Sequence, residues 1–64
     1  MKNEYRIFFI SKSGKKCSKS FNMKYKLGVF ARFYDSDITI EHIKVSGELN
    51  FEVSKDHIKE YLHL

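Results

Sequence analysis

Sixty-four residues make one small domain, too short to open a deep catalytic cleft and still keep a core, so any function is expected on an outer surface. The single cysteine, Cys17, excludes an internal disulfide. No stretch approaches the roughly 20 apolar residues of a membrane span, and Ile7–Ile10 falls short of the roughly 7–15 apolar residues of a secretory signal. The net charge of +4 is unevenly held: residues 1–34 carry nine Lys/Arg and one acid (+8), and residues 35–64 carry three Lys and seven acids (−4).

These features fit a reducing, cytoplasmic setting. They also raise the question of how so small a chain is held together, and the six Phe and four Tyr are the expected answer, as rings packed into the core.

In chain order, Tyr5–Ile10 is rich in aromatic and branched residues and predicts a strand. Tyr5, Ile7 and Phe9 lie on one side, Arg6, Phe8 and Ile10 on the other. Both sides are largely apolar, as expected of a strand that is central or covered on both faces. Lys12-Ser13-Gly14-Lys15 is a turn, and Lys16–Phe21 returns as a second strand whose lysines suit a sheet edge. Asn22 is the expected cap of a helix in which Met23, Leu27, Phe30 and Tyr34 recur at steps of four, three and four. Gly28 weakens that helix by about 1 kcal/mol relative to Ala, and Leu27–Tyr34 also alternates like a strand, but the helical spacing holds over three turns.

Asp35-Ser36-Asp37 ends the helix. Ile38–Val45 is a third strand, and its apolar parity changes between Ile40 and Ile43, which a bulge near Glu41-His42 would reconcile. Ser46-Gly47 turns the chain into a fourth strand, Glu48–Val53, with Leu49, Phe51 and Val53 alternating. Ser54 caps a last helix, Lys55–Leu64, whose stripe is Ile58, Tyr61 and Leu62. The expected architecture is α+β, in β-β-α-β-β-α order, with one antiparallel sheet and helices packed on one face.

No pattern of residues carries chemistry. "SGKK" at 13–16 lacks the upstream glycine of a phosphate-binding loop. A catalytic cysteine needs a nearby base, and His42, His57 and His63 all lie far along the chain from Cys17. His57, Glu60 and His63 are spaced by three on the last helix, which reads as a solvated face. Glu41 and Glu52 could meet across the second hairpin, but the acids read as outward charge. No enzyme, metal or cofactor is expected.

What remains is the basic cluster. Lys12, Lys15, Lys16 and Lys19 lie on or beside the first turn, and Lys26 and Arg32 sit on the helix. Such a polarised charge steers encounter with a partner of complementary potential. The expectation is a small non-catalytic protein that docks through these six residues on a larger macromolecular partner and blocks or modulates it. The style of the chain resembles that of many phage and mobile-element proteins, which suggests an inhibitor of a host protein that handles nucleic acid. Direct DNA or RNA binding by the same lysine-rich surface is the alternative. Self-association of the basic half with the acidic half of a second copy is a further arrangement, and no membrane is expected.

Overall fold

The computed structural model describes residues 3–63. The chain is an α+β domain in β-β-α-β-β-α order. Strands β1 (Asn3–Ile10) and β2 (Lys16–Phe21) form a hairpin, followed by α1 (Lys24–Tyr34), β3 (Thr39–Gly47), the short β4 (Phe51–Val53), a 3-10 turn at Lys55–His57, and α2 (Ile58–Leu62). All neighbouring strands are antiparallel, and their order is β2-β1-β3-β4.

In that order β1 is a central strand, between β2 and β3, as its apolar character led one to expect. Ile7, Ile43, Val45 and Val53 project to one face and are buried together with Leu27 and Ala31 of α1 and Ile58 and Leu62 of α2. Both helices therefore cover the same face. Arg6, Phe8 and Ile10 project from the other, which no described helix covers.

The bulge falls where the parity change requires it. Phe8 pairs with His42 but Phe9 pairs with Ile40, so Glu41 has no partner across the ladder. Ile40 and Ile43, an odd number of residues apart, thereby turn to the same side. The hairpin tip is closed by Ser11, whose backbone N–H donates to the Lys15 carbonyl at 2.8 Å and whose hydroxyl accepts from the Lys15 N–H at 3.2 Å. Gly14 occupies the left-handed region there, with φ of 90°, which a side chain would strain.

Several local expectations are corrected. Met23, not Asn22, holds the position before α1, and no side chain caps that helix. The fourth strand begins at Phe51 rather than Glu48, because the Asn50 amide turns back on Gly47, donating to its carbonyl at 3.1 Å and accepting from its N–H at 3.4 Å. The last helix splits into a 3-10 turn and α2. Ser54 stands at its start, but its hydroxyl shares a 3.0 Å hydrogen bond with His57 Nδ1 instead of capping the backbone. The expected helix end at Leu64 lies outside the described residues.

The largest correction concerns the rings. Among the described residues, the eight buried core side chains are all aliphatic. Tyr5, Phe9, Phe21, Phe30 and Tyr61 only lean against them, and Tyr25, Phe33, Tyr34 and Phe51 are exposed. So small a fold encloses little volume, and branched aliphatic side chains fill it where rings do not fit whole.

Candidate docking surface

Helix α1 has apolar residues on two opposite stripes. Leu27 and Ala31, four apart, form the inner one and are fully buried. Tyr25, Val29 and Phe33, also spaced by four, form the outer one. Tyr25 is 72% exposed and Phe33 76%. Between the stripes, Phe30 packs on Phe9 of β1 (ring centroids 5.6 Å apart), on Phe21 of β2 (5.5 Å) and on Tyr34 (4.9 Å). Phe33 meets Tyr34 edge to face at 4.9 Å. The result is a shallow, wide-mouthed groove of about 440 Å³ between α1 and β2, walled by Phe21, Tyr25, Phe30, Phe33 and Tyr34.

Two of the six sequence-predicted residues frame the groove. Lys26 lines it. Lys19 stands opposite Ile7 on the helix-covered face, with its Nζ 5.8 Å from the Phe30 ring and 5.9 Å from the Phe21 ring, within cation–π range. Lys12 and Lys15 occupy the exposed hairpin tip. Lys16 pairs with Ile10 and so belongs to the helix-free face. Arg32 lies on the other flank of α1, its guanidinium beside Gly28. The six residues thus do not share one surface.

Strand order also separates the charge. The basic segment builds β1, β2 and α1, and the acidic segment builds β3, β4 and α2, so opposite charges gather toward opposite edges of the sheet. Among the described residues the one ion pair is Arg6 Nη2 to Glu4 Oε2 at 3.3 Å, and no lysine takes part in one. The lysine charges therefore face solvent or rings. Lys24, for example, holds its Nζ 4.1 Å from the Tyr61 ring centre. Burial of the Tyr61 hydroxyl, and secondarily the neighbouring Tyr5, pushes its pKa above the ordinary tyrosine value.

The candidate catalytic groups are kept apart. Cys17 pairs with Phe9 on the helix-covered face of edge strand β2, its thiol 3.6 Å from the Lys15 carbonyl. His42 pairs with Phe8 on the opposite face. Glu52 faces Lys44, not Glu41, which occupies the bulge. Among the described residues, no three His, Cys, Asp or Glu side chains come together to hold a metal ion. No described helix is long and apolar enough to cross a membrane.

The sequence reading missed the outer stripe. Its signal was present, since Tyr25, Val29 and Phe33 repeat by four, half a turn away from Leu27 and Ala31. Fold and surface together define an α+β miniature with a basic, ring-lined groove at one edge. No protein-family model matches the chain, and comparison with curated proteins and with solved structures brings out no similar protein.

Proposed function

We propose that the chain is a small non-catalytic binding protein that docks on a larger protein through the α1–β2 groove and blocks or modulates it. The observation that carries this reading is the row of Tyr25, Val29 and Phe33, left in solvent and flanked by Lys19 and Lys26. Aromatic residues are enriched at the centres of protein interfaces, where they supply most of the binding energy. Cations at the rim steer association and select a partner of opposite sign. The partner is therefore a protein presenting apolar side chains ringed by carboxylates. A host protein that handles nucleic acid, inhibited by a phage- or mobile-element-type factor, fits the size and style of the chain.

The test is affinity capture from host lysate, with and without nuclease, followed by binding kinetics on the captured partner. Replacing Lys19 and Lys26 by Glu is expected to lower the association rate. Replacing Tyr25 and Phe33 by Ser is expected to raise the dissociation rate about ten-fold or more, the loss of at least one interface anchor. Kinetics unchanged by both pairs, or capture abolished by nuclease, refute the reading. Sedimentation at two salt concentrations detects the competing case, in which a second copy fills the groove.

A further inference from the structure

The sheet face turned away from the helices plays no part in the groove. Strand register arranges its side chains in rows. Ser20, Arg6, Lys44 and Glu52 form one row across all four strands, and Ser18, Phe8 and His42 form the next. Beyond it, Lys16, Ile10 and Thr39 form a third. On the central strands, the Phe8 and His42 rings stand stacked, centroids 4.3 Å apart and planes within 14°.

Both rings of that stack are half-buried. On the β2 side, the neighbour of Phe8 is Ser18, which is small and exposed. On the β4 side, pairing stops at Ile43 with Val53, so no β4 residue stands opposite His42. Arg6 reaches over the β2 side, its Nη1 donating to Ser18 Oγ at 3.3 Å. A planar ring entering beside Phe8 would find an aromatic face on one side and a guanidinium at its border. Lys16 and Lys44 stand in the rows flanking the stack. Of the acids near this stack, Glu4 is bonded to Arg6, Glu52 stands opposite Lys44 in the ladder, and Glu41 occupies the bulge next to His42.

The geometry points to this face as a binding site for single-stranded nucleic acid, with bases extending the Phe8–His42 stack and phosphates held by Lys16, Lys44 and Arg6. Base stacking on aromatic side chains combined with flanking cations is the general mode of single-strand recognition, and it tolerates any sequence. A duplex does not fit, because its bases are already stacked inside. RNA and DNA present the same rings and phosphates, and comparing oligo(U) with oligo(dT) shows whether the sugar matters. This site is independent of the α1–β2 groove and uses different residues.

Fluorescence anisotropy of labelled oligo(U) and oligo(dT) at low salt tests it. Binding is expected to weaken steeply as salt rises, since phosphate contacts release counterions. Phe8→Leu, which keeps apolar bulk but removes the ring, and His42→Ala are each expected to weaken binding about five-fold or more, the loss of a stacking face. Lys16→Gln with Lys44→Gln flattens the salt dependence. Lys19→Glu with Lys26→Glu, on the other face, leaves most of the affinity in place, which separates this site from the docking groove. The assignment is overturned by no binding of the wild-type chain to either strand, by equal affinity for duplex, or by unchanged affinity in both ring variants. It is also overturned if the face proves to be a dimer contact, seen as a sedimenting dimer that Phe8→Leu dissolves.

Discussion

Gly28 sits in the middle of α1, is buried, and has ordinary helical backbone geometry, since the glycines with positive φ are Gly14 and Gly47. Alanine at this position therefore adopts the native conformation without strain. Its added methyl would meet one neighbour, Arg32 Nη2 at 3.7 Å, an ordinary van der Waals contact with the end of a flexible side chain. Two terms then favour Gly28→Ala. Helix propensity contributes about 0.8–1.0 kcal/mol, chiefly by restricting the unfolded chain. Burial of the methyl adds a fraction of the ~0.8 kcal/mol of a fully enclosed methylene, a fraction only because Arg32 alone stands over it. The expected gain is about 1 kcal/mol, or roughly 4–8 °C in Tm for a domain of this size. Thermal melts by circular dichroism, with urea unfolding as a second measure, read it directly. An unchanged or lowered Tm would refute the reasoning, because it would mean that the site is closed to a methyl or that α1 is not helical through Gly28.

The two stripes of α1 predict opposite mutational behaviour. Leu27→Ala in the buried stripe is expected to cost about 2–5 kcal/mol, comparable with the whole stability of so small a domain, and to abolish the cooperative urea transition. Phe33→Ala in the exposed stripe should move stability by no more than about 0.5 kcal/mol. Equal effects of the two would invert the assignment of inner and outer faces. Tyr61 predicts an alkaline limit. Its folded pKa is raised above the ordinary 10.0, so above that pH the unfolded chain loses the proton first. The stability tied to this hydroxyl is full below pH 10 and falls as pH rises beyond it. Tyr61→Phe should flatten that part of the stability–pH curve, and an equally steep fall in the variant would assign it to other groups.

Much of the local structure was legible in the sequence because its cause is local. Alternation in Tyr5–Ile10 and Lys16–Phe21 sets which side chains share a strand face, and the observed strands contain both runs. The parity break between Ile40 and Ile43 required a bulge, and Glu41 supplies it. The four-three-four spacing of Met23, Leu27, Phe30 and Tyr34 marked a helix and placed Leu27 inside, but it also placed Met23 and Tyr34 inside, and these are 49% and 39% exposed. Helix caps were misread for a local reason as well, because Asn22 and Ser54 are good caps by residue type and neither side chain bonds the backbone it was expected to cap.

The sequence by itself therefore determined the α+β class, the element order and the division of the chain into a basic and an acidic half. Tertiary structure alone decided how those halves meet. Strand order β2-β1-β3-β4 sends the opposite charges to opposite edges, a non-local choice that no spacing records. Packing also chose between the two apolar stripes of α1. A sheet this narrow has room beneath the helix for a leucine and an alanine, while Tyr25 and Phe33, half a turn away, are left in solvent.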